Sequence, residues 1–248
     1  MLKRYLPAAG LLLVLLGAWQ WVASWDSVDD LLLASPGETW TALREDRDLL
    51  LDNAWVTLLE VLLGLAIAIA AAFALSVVMH LFRPLRNAAY PLLIASQAIP
   101  IFVLAPLFVL AFDYGMGPKL ALVALISFFP IAVGLLDGLR SVSPELLKLM
   151  RSLDAGRGFR LLRVELPSAL PGFFTGLRVG ASVAVIGAVF GELAGADEGL
   201  GRLIFLGTNQ LETPRVYAGV VILTIMAVSL FALVSLVERV AIPWRSHA

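Results

Sequence analysis

Long apolar stretches alternate with short charged segments along the whole chain, and this alternation predicts a protein that crosses a lipid bilayer several times. A membrane-spanning helix needs about 20 mostly apolar residues. Six stretches with no more than one charged side chain each predict the spans; they are residues 5–25, 54–79, 87–112, 120–136, 179–191 and 216–237. The predicted fold class is therefore an all-α polytopic membrane protein with six transmembrane helices.

Prolines interrupt the third of these stretches. Pro91, Pro100 and Pro106 lie within 26 uncharged residues, and a proline inside a helix removes a backbone hydrogen bond and clashes with the preceding turn. We therefore expect the third span to be broken or kinked near the middle of the membrane. Outside the spans, residues 36–37 (Pro-Gly) predict a break before a short amphipathic stretch over residues 40–51.

The first stretch has two interpretations. Lys3 and Arg4 precede it and three tryptophans lie within residues 19–25, as expected of a retained span that ends at the membrane interface. The small residues at 22–24 are also compatible with cleavage of a signal peptide. The apolar run is longer than a usual signal core, which favours a retained helix.

Composition excludes a soluble protein and several kinds of site. The chain is 60% hydrophobic and 15% charged, with a mean hydropathy of +0.92, whereas soluble domains carry roughly 25% charged residues. The sequence has no cysteine, which excludes disulfides and thiolate chemistry. His80 and His247 are too few and too far apart to predict a metal site. A net charge of −1 gives no indication of a nucleic-acid partner.

The basic residues are unevenly distributed between the two sides of the membrane. With the N-terminus inside, twelve Lys and Arg residues fall in cytoplasmic segments and five in outer segments, while residues 26–53 carry eight acids. This distribution obeys the positive-inside rule, so both termini are predicted to be cytoplasmic. The pattern divides the chain into a first helix with an extracytoplasmic linker (1–53), a transmembrane domain (54–240) and a cytoplasmic tail (241–248).

The longest basic segment, residues 141–165, lies between the fourth and fifth predicted spans. Ser143, Pro144 and Glu145 are typical of a helix start, because they supply a cap, a proline at the first position and an acid near the positive end of the dipole. Apolar residues then recur at helical spacing. Residues 154–158 contain two glycines, which predict a tight bend before a second short helix over 159–165.

The sequence of residues 144–180, PELLKLMRSLDAGRGFRLLRVELPSALPGFFTGLRVG, resembles the loop signature of binding-protein-dependent ABC importer permeases. That signature runs Glu-Ala-Ala, three residues, Gly, nine residues, an aliphatic residue, one more residue and Leu-Pro. Counting back from residues 166–167 places the aliphatic position at Val164, the glycine position at Asp154 and the triplet at 148–150. The spacing agrees, whereas the triplet is replaced throughout and the glycine is Asp, a residue that tolerates left-handed backbone geometry.

The resemblance extends from about residue 34 to the last span, and it implies the permease subunit of an ATP-driven importer in the bacterial inner membrane. Such subunits form homodimers that meet ABC ATPase subunits in the cytoplasm and a solute-binding protein outside. The permease chain itself would bind no cofactor, because ATP is used by the partner ATPase. Consistently, the sequence contains no Gly-x4-Gly-Lys-Ser/Thr phosphate loop.

The resemblance also assigns a role to the loop, which would be a cytoplasmic coupling helix between the fourth and fifth spans. The residues it places against the ATPase are Glu145, Lys148, Arg151, Asp154, Ala155 and Arg157. Judged from the residues alone, a basic amphipathic stretch is also typical of a helix that lies on the lipid surface.

Within this family the sequence resembles the branch that imports nitrate, taurine, aliphatic sulfonates and the pyrimidine precursor of thiamine. The runs 95–101 and 104–107 are most similar to the pyrimidine-precursor permeases. We expect Ser96, Gln97 and Glu192 to line the translocation path. The Gln97 amide offers both a donor and an acceptor to an uncharged heterocycle, and Glu192 is expected at the outer mouth. Two alternatives stay open: an interhelical hydrogen bond for the first two, and a merely solvated carboxylate for Glu192.

Small residues and isolated charges in the spans have alternative interpretations as well. Small residues recur every four positions from Gly176 to Ala188, which favours close helix packing either within one subunit or at a dimer seam. Arg178 is expected to snorkel to the interface or to face protein. The acids near predicted span ends are expected to be boundary residues; they are Glu60, Asp137 and Glu238.

Two other functional classes compete with a permease. An intramembrane enzyme needs a nucleophile and a base, or clustered carboxylates and histidine, at mid-depth, and the predicted spans offer neither. A secondary transporter is expected to carry ionisable residues in the central parts of several spans, and this chain has almost none there.

Overall fold

The computed structural model describes residues 2–25 and 32–244, and within these ranges the chain forms helices and no strands. The linker residues 26–31 and the tail from residue 245 onward lie outside the described residues. The first seven helices are α1 (Leu2–Ala23), α2 (Pro36–Glu45), α3 (Arg47–Leu81), α4 (Arg83–Ser96), α5 (Ile101–Phe112), α6 (Met116–Arg140) and α7 (Pro144–Ser152). The others are α8 (Arg157–Arg160), α9 (Leu166–Leu193), which follows a π-helical turn at Leu161–Glu165, α10 (Leu200–Asn209) and α11 (Thr213–Ala241).

Four helical elements are long and apolar enough to cross a membrane. They are α3, α6, α11 and the continuous 37-residue run Arg157–Leu193, which comprises α8, the π turn and α9. The pair α4 and α5 adds a fifth span if it is taken as one broken element. In α1 the apolar portion Leu13–Ala23 is shorter than a span, so the count of six stays a prediction.

The break predicted in the third apolar stretch is present. The axes of α4 and α5 differ by 105° across a break at residues 97–100. Pro100 ends the break with extended backbone (φ −64°, ψ 121°) directly before α5, as expected of a residue that cannot continue the hydrogen-bond ladder. Pro91 and Pro106, by contrast, lie inside α4 and α5.

The core is built around α6 and α9, whose backbones touch through glycines. A Cβ added to Gly134 would lie 2.5 Å from the carbonyl oxygen of Gly172, and one added to Gly138 would lie 2.7 Å from that of Ala169. Only glycine permits such an approach. The stripe that includes Gly176 and Gly180 also faces α6. These two glycines therefore serve helix packing within one subunit, the first of the two predicted interpretations.

Polar contacts and close packing join other helices of the bundle. The Ser76 hydroxyl on α3 donates to the Ala132 carbonyl on α6 at 2.9 Å, and Gly64 lies directly against Val123. Helix α2 is tied to α11, because Arg215 Nε donates to the Asp46 carboxylate at 2.7 Å. These contacts join elements that are far apart in sequence.

Several predicted boundaries differ from the observed ones. Pro36 does not break the chain but stands in the first turn of α2, which the Ser35 and Glu38 side chains cap reciprocally. Helix α3 begins seven residues before the predicted start of its span and therefore runs through the predicted boundary at residues 53–54. Helix α10 was not predicted, because a ten-residue helix lies below the length that a span requires.

Candidate functional site

The helix predicted after Ser143 is present. The Ser143 hydroxyl accepts a hydrogen bond from the Leu146 backbone N–H at 3.2 Å, and α7 runs from Pro144 to Ser152 with no buried residue. Glu145, Lys148 and Arg151 are exposed. We call residues 143–165 the elbow, since α7 leads through a bend into α8 and the π turn.

The bend is made by Asp154 and not by the glycines. Asp154 has a φ of 54° and is the only non-glycine residue of the elbow in the left-handed region, as its tolerance of that geometry allows. The Ala155 N–H then donates to the Met150 carbonyl at 3.0 Å, which closes the end of α7. Gly156 has ordinary extended backbone (φ −62°, ψ 158°). The bend therefore lies where it was predicted, but the prediction that the glycines make it was wrong.

Five of the six elbow residues assigned by resemblance are exposed. Ala155 is half-buried, whereas Asp154 and Arg157 are exposed. Large apolar side chains are exposed beside these charges, with Leu149 at 56% and Leu153 at 68%. This combination of apolar and charged side chains can dock against a protein groove or lie on a lipid surface.

The break between α4 and α5 opens a small cavity of about 270 Å³, which we call the break cavity. Ser96 and Gln97 line it together with six apolar residues, and no charged residue among those that the structure describes does so; the apolar ones are Ile99, Pro100, Ile101, Leu104, Leu125 and Ile126. The Ser96 hydroxyl donates to the Leu93 carbonyl at 2.7 Å. The Gln97 side chain is exposed.

Glu192 lies in a different place from these two residues. Its side chain is completely buried, one oxygen accepts from the Thr57 hydroxyl at 2.6 Å, and the other accepts from the Gly201 N–H. The Thr57 hydroxyl also accepts from the Leu200 N–H at 2.9 Å. The expectation of a solute contact at the outer mouth gains no support, because these bonds occupy the carboxylate inside the protein.

Nearby Asn53 extends this Glu192 network. Its side-chain oxygen accepts from the Gly199 N–H at 2.7 Å, so α3 holds the turn before α10. Asn53, Thr57 and Glu60 are spaced by four and three residues and therefore share one face of α3. This polar stripe in an apolar helix was a signal that the sequence contained.

An ion pair inside the bundle was missed from the sequence. Lys119 Nζ on α6 lies 2.5 Å from the Glu60 carboxylate on α3, and both side chains are buried. The interpretation of Glu60 as a boundary residue was wrong, because α3 and α6 extend past the predicted span ends and bring the two charges together. A buried charge requires such a partner.

Two further pairs link distant elements. Arg178 lies 3.2 Å from Glu238, which connects α9 to α11, so Arg178 faces protein and Glu238 is more than a boundary residue. His80 at the end of α3 lies 2.7 Å from Glu165 in the π turn. The elbow is thereby fixed to the bundle at its C-terminal end.

Known proteins resemble this chain over most of its length. The family described as binding-protein-dependent transport system inner membrane component matches residues 51–246. The formylaminopyrimidine transport permease protein ThiX of Halalkalibacterium halodurans is 40% identical over 189 residues, 76% of each chain. The riboflavin transport system permease protein RibX of Chloroflexus aurantiacus is 35% identical over 247 residues, 97% of this chain and 91% of that protein. The taurine transport system permease protein TauC of Escherichia coli is 30% identical over 245 residues, 96% and 89% of the two chains.

Solved structures share the fold. The MetNI methionine ABC transporter in an inward-facing conformation superposes with a TM-score of 0.70 at 17% sequence identity, over 79% of this chain and 98% of that one. The family match over residues 51–246 includes the elbow. The chain thus belongs to the family of binding-protein-dependent transport system inner membrane components, the permeases of ABC importers.

Proposed function

We propose that this permease passes a small, uncharged polar solute, with a formylated aminopyrimidine or a related thiamine precursor as the best candidate. The break cavity carries this proposal, because its polar side chains are a hydroxyl and an amide, with no charge among the residues that line it. Gln97 can donate to a ring nitrogen or accept from an exocyclic amine. ThiX, whose name specifies formylaminopyrimidine transport, supports the same solute class.

The sulfonate and taurine branch is the competing assignment. A sulfonate carries a fixed negative charge. Moving that charge from water into an apolar cavity that holds no cation costs several kcal/mol of free energy. The break cavity provides no Lys or Arg for this purpose. An uncharged heterocycle avoids this cost.

We further propose that the elbow contacts a separate ABC ATPase and is displaced by its ATP-driven movement. The contacting residues would be Glu145, Lys148, Arg151, Asp154, Ala155 and Arg157. The run from Arg157 to Leu193 is one continuous helical rod, about 55 Å long at the standard helical rise. A displacement of the elbow would therefore move the far end of α9, where Glu192 holds α3 and α10. Because α6 packs closely along α9, these two helices would move together.

The remaining parts of the assembly follow from the family and are proposed with it. Two copies of the chain, in the bacterial inner membrane with both termini in the cytoplasm, would meet two ATPase subunits inside and a solute-binding protein outside. The domain division at residues 1–53, 54–240 and 241–248 belongs to the same proposal.

Uptake into proteoliposomes that contain the permease, its ATPase and its binding protein tests the solute class. We expect ATP-dependent accumulation of a radiolabelled formylated aminopyrimidine and none of taurine. Gln97→Leu is expected to reduce uptake about tenfold, the usual effect of losing one buried hydrogen bond to a ligand. Asn209→Leu, an exposed amide on α10, is the matched control. The assignment would be contradicted if the wild-type transporter accumulated taurine and the Gln97→Leu variant took up solute as fast as the wild type.

A further inference from the structure

A second and larger cavity lies beside the elbow, at the end of the bundle that the basic residues place in the cytoplasm. It has a volume of about 540 Å³, within the range of small-molecule sites, roughly 300–1,000 Å³. The end of α3, the start of α4, the end of α6 and the elbow enclose it. Six arginines line it, and we call it the arginine cavity; they are Arg83, Arg86, Arg140, Arg151, Arg157 and Arg160.

The positive charge of this cavity is not balanced by the protein. Glu165 is the one acidic residue among those that line it, and its carboxylate is bonded to His80 at 2.7 Å. Within residues 2–25 and 32–244 no ion pair involves any of the six arginines. Guanidinium groups crowded around one space repel one another, so the cavity favours an anion that carries several charges.

Two polar atoms in the wall point to a missing partner. The Nε of Arg160 and the Nδ1 of His80 are both shielded from solvent and have no hydrogen-bond partner. Buried polar groups are normally hydrogen-bonded, so each such atom calls for an explanation. Both belong to residues that line the same cavity, and an anion bound there would accept a hydrogen bond from the Arg160 Nε–H.

The chemistry of the wall selects phosphate among the anions. Guanidinium forks bind phosphate oxygens through paired, charge-assisted hydrogen bonds, and six forks exceed what a carboxylate with two oxygens can use. The transported solute of the proposed function is uncharged and faces the break cavity, which has different lining residues. The arginine cavity is therefore separate from the translocation path.

We propose that the arginine cavity binds an anion bearing two or more phosphate charges, either the headgroup of an anionic phospholipid or a free phosphate compound. Three of its arginines belong to the elbow and three to the ends of α4 and α6. A bound anion thus ties the elbow to the bundle and fixes the angle between them. This binding site does not depend on the identity of the solute.

Thermal unfolding of the purified full-length chain in a neutral detergent tests the site at constant ionic strength. The probes are sodium pyrophosphate in one series and cardiolipin, against phosphatidylcholine, in the other. We expect at least one of them to raise the unfolding temperature saturably. Arg86→Gln combined with Arg160→Gln should weaken that binding by tenfold or more, since each removes a charge-assisted hydrogen bond. Arg163→Gln, an exposed arginine of the π turn outside the cavity, should bind like the wild type.

The two probes separate the sources of the anion. Stabilisation by cardiolipin alone assigns a lipid headgroup, and stabilisation by pyrophosphate assigns a soluble anion; either supports the proposal when the double variant abolishes it. If that variant does not fold, Arg83→Gln with Arg140→Gln, two exposed side chains, is measured in its place. The proposal is overturned if neither probe stabilises the wild type or if all variants respond equally.

Discussion

At the scale of single residues, the interior of this bundle depends on a few buried polar groups that satisfy one another. Glu192 uses both carboxylate oxygens to hold Thr57 and the Gly201 N–H, and Lys119 pairs with Glu60 only 2.5 Å away. Inside a low-dielectric bundle, a charge that loses its partner is strongly destabilising. These residues therefore fix the relative positions of α3, α6 and α9.

We expect Lys119→Met to destabilise the folded chain by about 3–5 kcal/mol, because it leaves the Glu60 carboxylate buried without its cation. Adding Glu60→Leu should restore much of the loss, since an apolar pair of similar size carries no desolvation cost. The measurement is a double-mutant cycle of unfolding free energies in detergent. Arg44→Met, an exposed cation of α2, is the control and should change stability little. Additive effects of the two core substitutions would show that the charges do not stabilise each other.

At the scale of elements, two helices packed through glycines form the rigid part of the molecule. Along α6 and α9 the glycines let the backbones approach at several successive turns, from Gly138 and Ala169 to Gly191 and Lys119. The elbow continues directly into α9 through a π turn that is bonded to α3 through Glu165 and His80. A rigid pair joined to an exposed elbow is suited to transmitting a displacement.

Gly134→Ala is expected to push α6 and α9 apart, because its Cβ would lie 2.5 Å from the Gly172 carbonyl oxygen. Overpacking of this kind costs about 1–3 kcal/mol. Gly17→Ala on α1 is the matched control, since nothing lies within 4 Å of a Cβ at that position. The measurement is the thermal unfolding temperature of both variants in the same detergent, which should be lowered by Gly134→Ala and not by Gly17→Ala. Equal unfolding temperatures would contradict the close contact.

Local signals predicted the elements well and the contacts between them poorly. Ser143 and Pro144 correctly predicted the start of α7, and Pro100 correctly predicted the break. Helix caps and prolines affect the backbone of adjacent residues, so their effect can be read from the local sequence. The Lys119 and Glu60 pair joins residues 59 positions apart, and no local pattern encodes which distant charge will be met. Asp154 was recognised as a residue that tolerates the bend, whereas the neighbouring glycines were wrongly given the turn.

At the scale of the whole molecule, the elbow, the α9 rod and the Glu192 network lie in series from one end of the bundle to the other. In the proposed function, this arrangement would give the ATPase a mechanical route to the far end of the permease. The break cavity lies beside α6, two of whose residues, Leu125 and Ile126, help to line it. Motion of the α6 and α9 pair would therefore reshape the break cavity, which is the proposed place of the solute.

The number of solute molecules imported per ATP hydrolysed, in proteoliposomes with the ATPase and the binding protein, tests the proposed transmission most directly. The comparison is between the wild type, Ala155→Trp in the elbow and Val240→Trp, an exposed residue near the end of α11. We predict that in transporters carrying Ala155→Trp the ATPase still hydrolyses ATP while the number of solute molecules imported per ATP falls at least tenfold, and that Val240→Trp keeps the wild-type ratio. An unchanged ratio in the Ala155→Trp variant would contradict a coupling role for the elbow.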